Sequence, residues 1–306
     1  MAEFVCRGLP GSWLNAWLAA VGSTVLDDRL RLHWTTESSP VAVLSTDGPG
    51  DPIEILSDAW PTRERIDAMP IACDHDDLAA MKRTVLIDVF VERARAFRRH
   101  PDAWTLSSTV TDLGVYDGGQ IVHAPLDPPG PGTIKWLHHR LIKVHGEVDK
   151  PDEDLRDSFS GSGKRVKSNG LGFDLTRLTT PADVSEKLAD PVIEVLAFFG
   201  LALLPVRSTG VDMTRPGVRT RPERRQRGWR SARSRGLWFE RPAWEQTLDS
   251  AGIDALLDAW HESRATRAKL PDGERSMLGV HAAWRTIGYQ TRGSADNTVG
   301  YGSERI

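Results

Sequence analysis

Two short apolar stretches constrain the fold of this chain more than any other feature. Residues 11–26 read GSWLNAWLAAVGSTVL, and residues 191–206 read PVIEVLAFFGLALLPV. Apolar side chains recur in both at helical spacing, with few polar groups between them. Both stretches are therefore predicted to form short helices, and a helix of this composition must be buried in a core.

The two predicted helices resemble each other. Each has a Leu-Ala-x-x-Gly unit near its end, LAAVG at 18–22 and LAFFG at 196–200. An internal duplication would explain this echo, and so would a coincidence between two apolar sequences. Both interpretations stay open at the level of the sequence.

Alternating and β-branched runs accompany each apolar stretch. LRLHW at 30–34 and VAVL at 41–44 follow the first one, and GLWFERPAW at 236–244 follows the second. Such runs are typical of half-buried strands. We therefore expect a mixed α/β (α+β) fold with two halves, each made of a short buried helix and a small antiparallel sheet.

The predicted halves are residues 1–150 and 173–306. Residues 151–172 begin acidic and become Gly/Ser-rich and basic, which is typical of a linker or an exposed basic loop. Within the first half, residues 77–99 are predicted to form an amphipathic helix, because their apolar side chains recur every three or four residues.

Residues 214–236 form an Arg-rich segment. Nine arginines against one acidic residue, Glu223, give it a formal charge of +8, whereas the whole chain carries −3. Arginine suits bidentate contact with phosphate, and tryptophan can stack on a base. The alternative is a solvated basic loop. The predicted nucleic-acid contacts are Arg219, Arg221, Arg224, Arg225, Arg227, Trp229, Arg230, Arg233 and Arg235.

A second basic run, SGSGKRVKS at 160–168, does not meet the requirements of a nucleotide-binding phosphate loop. The upstream glycine is missing, and Arg165 occupies the position of the hydroxyl that would bind Mg²⁺. Lys164, Arg165 and Lys167 are predicted to contact a nucleic-acid backbone instead.

The sequence gives no positive sign of an enzyme. It contains no GxSxG, HExxH or GxGxxG pattern, and we expect neither a metal nor a cofactor. One alternative of a different class is a metal-dependent nuclease or phosphodiesterase that uses Asp74, Asp76, Asp77 and His138. An aspartate cluster before a helix is, however, ordinarily an N-terminal cap.

Three features bear on location. The chain has only two cysteines, Cys6 and Cys73, without zinc-site spacing, and its first residues lack the apolar run of a signal peptide. No apolar stretch has the length of a membrane span. We expect a cytoplasmic protein without a membrane partner.

Three blocks of the chain resemble a known family. GLPGSWLNAWLAAVG at 8–22, DPVIEVLAFFGLALLPVR at 190–207 and FERPAWEQTLDSAGIDALLDAW at 239–260 are similar to subunits of the type I-G (formerly I-U) CRISPR-associated effector complex. The particular likeness is to its smaller, large-subunit-like component. The blocks together span 55 of the 306 residues, and none of them is a catalytic signature.

This resemblance implies a non-catalytic subunit of an RNA-guided antiviral complex. Its partners would be guide RNA, target DNA, other Cas subunits and a separate helicase–nuclease that performs cleavage. In such complexes base pairing reads the sequence, while proteins hold the backbones. A stand-alone nucleic-acid-binding regulator is the other open alternative.

Overall fold

The computed structural model describes most of the chain outside the central loops and the Arg-rich segment. The described residues are 2–70, 84–86, 92, 95–107, 110–116, 120–123, 134–168, 170–171, 188–204, 227–232, 236–265, 276–290 and 298–306. Within these ranges the fold is mixed α/β, and every strand pair is antiparallel.

The first unit of structure is a helix on a three-stranded sheet. It consists of β1 (Ala2–Pro10), α1 (Leu14–Leu26), β2 (Leu30–Trp34) and β3 (Val41–Thr46), and the strands lie in the order β1-β3-β2. Phe4 pairs with Leu44, which pairs with Leu32. Leu44 and Leu32 are fully buried, so this face of the sheet lies toward the core.

The rest of the N-terminal half adds short elements around this unit. They are α2 (Pro52–Asp58), α3 (Arg63–Asp67), β4 (Thr84–Leu86), α4 (Ala103–Ser107), β5 (Val110–Tyr116), β6 (Gln120–His123) and α5 (Ile134–His145). The strands form a second sheet in the order β4-β6-β5. The helix predicted over 77–99 is wrong at 84–86, where pairing with β6 stabilises an extended backbone for β-branched residues. Much of that predicted helix lies outside the described residues.

Residues 151–160 are a helix, which corrects the prediction of a linker there. α6 spans Pro151–Ser160, with a proline in its first turn and three acidic residues that suit the positive end of the helix dipole. Gly161 ends the helix in the left-handed region at φ 91°. Leu155 and Phe159 are fully buried, so α6 is part of the folded core.

The C-terminal half repeats the combination of a buried helix and a small antiparallel sheet. Its elements are β7 (Val166–Lys167), β8 (Leu188–Ala189), α7 (Pro191–Gly200), a 3₁₀ turn (Leu201–Leu203), β9 (Trp229–Ala232), β10 (Gly236–Trp244), α8 (Ser250–Ala265), β11 (Val280–Gln290) and β12 (Thr298–Arg305). The main sheet has the order β12-β11-β10-β9. The predicted fold class is confirmed.

The two buried helices pack directly against each other. A Cβ atom added at Gly22 of α1 would overlap the Leu196 carbonyl oxygen, and one added at Gly200 of α7 would overlap the Leu18 carbonyl oxygen. Both glycines therefore let the helix backbones meet where any side chain would hold them apart. The two halves share one continuous core across this contact.

Trp17 joins α1 to the C-terminal sheet. Its Nε1–H donates to the Pro242 carbonyl oxygen at 2.8 Å, and its ring meets Phe239 and Trp244 edge to face, with centroid distances of 6.0 and 6.4 Å. Its side chain is fully buried. Trp17 therefore serves core packing.

We expect Gly22→Ala and Gly200→Ala each to lower the free energy of unfolding by about 2 kcal/mol or more, because the obstructing atoms belong to backbone. Gly48→Ala is the matched control, since a Cβ there has no neighbour within 4 Å. Its effect should stay below about 0.5 kcal/mol. Urea unfolding of the three variants measures these differences, and equal stability of all three would contradict the helix contact.

Candidate nucleic-acid interface

The Arg-rich segment leaves the core at one end of α7. Leu204 is the last described residue before it, and the described chain resumes at Arg227 and Gly228, before β9. Residues 205–226 and 233–235 lie outside the described residues. Six predicted contacts fall in these two gaps, so their placement stays a prediction: Arg219, Arg221, Arg224, Arg225, Arg233 and Arg235.

Arg227 is buried, and this corrects its predicted role. Its side chain is only 1% exposed. The guanidinium forms ion pairs with Asp254 and with Asp258, the latter at 2.7 Å, and Nη1 donates to the Leu203 carbonyl oxygen at 3.1 Å. A guanidinium satisfied in this way has no face to offer a phosphate, so Arg227 is removed from the predicted contacts.

The two carboxylates that bind Arg227 lie on successive turns of one helix face. Asp254 and Asp258 stand four residues apart on α8, so their carboxylates lie next to each other. Burial lowers the pKa of the Arg227 guanidinium, but the hydrogen bonds to both aspartates raise it overall, and the side chain stays charged. The spacing of the two aspartates was visible in the sequence, whereas their pairing with Arg227 was not.

The hydrogen bond from Arg227 to Leu203 brings together the two ends of residues 204–226, which include the first part of the Arg-rich segment. Leu203 lies at the end of the 3₁₀ turn and Arg227 just before β9. The chain from 204 to 226 therefore starts and finishes at one place on the core. Of the eight other arginines of residues 214–236, five lie between these anchored ends in the sequence and three follow Arg227.

Trp229 and Arg230 lie on β9, which is the terminal strand of the main sheet. Trp229 pairs with Phe239 and Arg230 with Trp238 of β10. Successive strand residues alternate between the faces of a sheet, so these two positions belong to opposite faces.

Lys164, Arg165 and Lys167 are exposed, as a binding loop requires. The surroundings of this basic loop are nevertheless mixed in charge. Lys164 Nζ lies 3.8 Å from the Asp149 carboxylate, which is itself 83% exposed. Burial raises the pKa of the Asp190 carboxyl, and the charge of the nearby Arg165 opposes that rise. Nearby acidic groups reduce the attraction of this loop for a polyanion.

Ser158 of α6 and Gly163 of this loop pack against the residue that caps the N-terminus of α7. Asp190 caps α7 by accepting from the Val192 and Ile193 backbone N–H groups at 3.0 and 3.2 Å. The Ser158 hydroxyl donates to the same carboxylate oxygen at 3.0 Å, and a Cβ at Gly163 would overlap the other oxygen. Residues 158–163 are therefore packed structure and not a free linker.

A buried glutamate fixes the following turn. Glu194 is fully buried on α7 and accepts from the Leu171 backbone N–H at 2.5 Å and from the Asn15 side chain at 3.3 Å. This carboxylate connects α1, α7 and the end of the basic loop. Its role could not be predicted from the sequence, because a single acidic residue in an apolar helix gives no sign of its partners.

The two basic regions lie at opposite ends of α7. The basic loop packs against the residues that cap its N-terminus, and Arg227 binds the turn that follows its C-terminus. A helix of this length is about 15 Å long. Among the described residues, the basic loop and Arg227 therefore lie about one helix length apart, at the two ends of α7.

The metal-dependent alternative has no support in the described part of the chain. No group of three or more His, Cys, Asp or Glu side chains is arranged there to hold a metal ion. His138, on α5, uses its Nε2–H to donate to the Ile66 carbonyl oxygen at 2.9 Å. Asp74, Asp76 and Asp77 lie outside the described residues.

Comparison with known proteins adds no family assignment. No protein-family model matches the chain, and no match to it was found among the curated proteins or the solved structures.

Of the helices that the structure describes, none combines the length and the apolar character needed to cross a bilayer.

Asp190 allows a test of the cap that holds the basic loop. Burial raises the pKa of the Asp190 carboxyl above 3.8, although hydrogen bonds from Ile193, Ser158 and Val192 oppose the shift. Asp190→Asn keeps the capping oxygen without the buried charge and should be at least as stable as wild type at pH 7. Asp190→Ala, which removes the cap, should lose about 1 kcal/mol.

The pH dependence follows from the raised pKa of Asp190. The folded carboxyl binds its proton at a higher pH than the unfolded one, so ionisation destabilises the fold. As pH falls from 7 through the folded pKa toward 3.8, wild type should gain stability relative to Asp190→Asn. Unfolding curves of the two proteins that stay parallel over this range would contradict the shift.

Arg227→Ala should destabilise the protein by about 3 kcal/mol, because it leaves two carboxylates without their buried partner. The matched control is Arg285→Ala, which breaks a more exposed pair with Glu304 and should cost at most about 1 kcal/mol. Chemical denaturation measures both. An Arg227 variant as stable as the control would show that the side chain is free for another role.

Proposed function

We propose that this protein is a non-catalytic subunit of an RNA-guided CRISPR-Cas effector complex and that its Arg-rich segment binds the phosphate backbone of guide RNA or target DNA. The observation that carries the proposal is the concentration of nine arginines in residues 214–236 of a chain whose overall charge is −3. A polyanion is the partner that such a local charge favours.

The anchored ends of the segment support this proposal. Arg227 is held by Asp254, Asp258 and the Leu203 carbonyl oxygen, so one arginine serves the core. Five of the others, Arg215, Arg219, Arg221, Arg224 and Arg225, lie within residues 204–226, a stretch whose two ends are fixed on the body of the protein. Fixing both ends reduces the conformational entropy that the stretch loses when it binds.

The assignment to a CRISPR complex rests on the sequence resemblance. The three similar blocks include α1, α7 and the region from β10 into α8. The partners proposed on this basis are guide RNA, target DNA, other Cas subunits and a separate helicase–nuclease, in the cytoplasm. Backbone binding without base reading suits a subunit whose complex reads sequence through the guide.

The proposal predicts a salt-dependent affinity that depends on the segment. Changing Arg219, Arg221, Arg224 and Arg225 together to Ala should weaken binding of a labelled single strand of about 20 nucleotides. Each lost phosphate contact lowers the slope of log K against log salt by about 0.7 for a single strand, so the slope should fall by about 3. Fluorescence anisotropy at several salt concentrations measures it.

The control must carry the same net charge. Changing Arg7, Arg29, Arg63 and Arg99, which are all exposed, to Ala removes four charges elsewhere on the surface. This control should keep most of the wild-type slope. Equal slopes for wild type and the segment variant, or equal losses in the variant and the control, would refute binding by the Arg-rich segment.

A further inference from the structure

The contact between α1 and α7 is reciprocal. Gly22 of α1 lies against the Leu196 carbonyl of α7, and Gly200 of α7 lies against the Leu18 carbonyl of α1. Leu18 and Gly22 are the first and last residues of one Leu-Ala-x-x-Gly unit, and Leu196 and Gly200 are those of the other. Matching residues that contact each other in both directions are the mark of a two-fold axis.

The chain continues in the same way after both helices. Residues 23–26 complete the last turn of α1, and residues 201–204 hold the corresponding places after α7, including the 3₁₀ turn. An antiparallel hairpin comes next in each case, β2–β3 in the first half and β9–β10 in the second. In both sheets the first hairpin strand is terminal and the second one is interior.

The two copies differ in the connection between helix and hairpin. In the first, residues 27–29 lead from α1 to β2. In the second, residues 205–228 lead to β9, and they include most of the Arg-rich segment. The hydrogen bond from Arg227 to the Leu203 carbonyl shows that this longer connection returns to the place where it started.

We propose that α1–β2–β3 and α7–β9–β10 are two copies of one helix–hairpin unit, and that residues 205–226 are an insertion at the turn of the second copy. The core forms from the paired units and does not need the insertion. Binding of a polyanion, which here rests on the proposed function, is a separable property that the insertion adds to the fold.

Excision tests the insertion. Replacing residues 205–226 with Gly-Ser-Gly-Ser keeps Arg227 and its partners. The linker must join Leu204 to Arg227, which lie close together because the Arg227 side chain reaches the Leu203 carbonyl oxygen. Four residues span up to about 14 Å, which is enough for this connection. We expect the variant to fold cooperatively, with a melting temperature within about 4 °C of wild type, and to lose affinity for the labelled single strand.

The outcomes separate the insertion from the proposed function. Cooperative folding of the excision variant would support the insertion. If this folded variant then binds the strand with wild-type affinity, or if wild type does not bind it, the proposed function is refuted and the insertion stands. Loss of cooperative folding would overturn the insertion, provided that a shorter excision of residues 208–224 with the same linker also fails to fold. A folded shorter variant would support it.

The two-fold contact has its own test, which does not involve binding. If Gly22 and Gly200 share one helix crossing, the first Ala substitution separates the helices and the second then costs less. The melting temperature of the double variant Gly22→Ala/Gly200→Ala should therefore fall by less than the two single losses together. Strictly additive losses would overturn the reciprocal contact on which the duplication rests.

Discussion

The close approach of α1 and α7 is the interaction on which the rest of the structure depends. At Gly22 and Gly200 each helix meets a backbone carbonyl of the other, and the fully buried side chains around this contact belong to both halves of the chain. The sheets then pack against α1, with Trp17 reaching from α1 to β10. A change that separates the helices would therefore disturb both halves together.

Arginine has several physical roles in this protein. Arg227 and Arg264 are structural ions, because each binds carboxylates within the fold; Arg264 and Glu240 form a bidentate pair at 2.9 and 3.0 Å. Arg241 is fully buried and donates to the Gly11 and Ser12 carbonyl oxygens, and burial lowers the pKa of its guanidinium to about 9. Only arginines that the core does not use can serve a polyanion.

The basic loop illustrates how composition can suggest a freedom that packing removes. Its glycines and serines are typical of a linker, but Gly163 packs against the carboxylate that caps α7, to which Ser158 of α6 donates. The small side chains allow this close approach, since a larger group would collide with the cap. The charges of Lys164, Arg165 and Lys167 face solvent, and acidic neighbours partly balance them.

The fold class, the two buried helices and several strands could be predicted from the sequence, because these features depend on local periodicity and on the need to bury apolar surface. β10 was predicted with both of its bounds. The excess of positive charge was visible in the sequence as well. Only the folded chain shows that residues 84–86 pair as a strand, that α6 belongs to the core, and that Arg227 is a buried ion. Each of these depends on partners far away in the chain, such as Gln120 of β6 or Asp258 of α8, and no local pattern specifies such partners. The echo between LAAVG and LAFFG was visible in the sequence, but only the folded chain brings the two glycines to one crossing, where each makes room for the other helix.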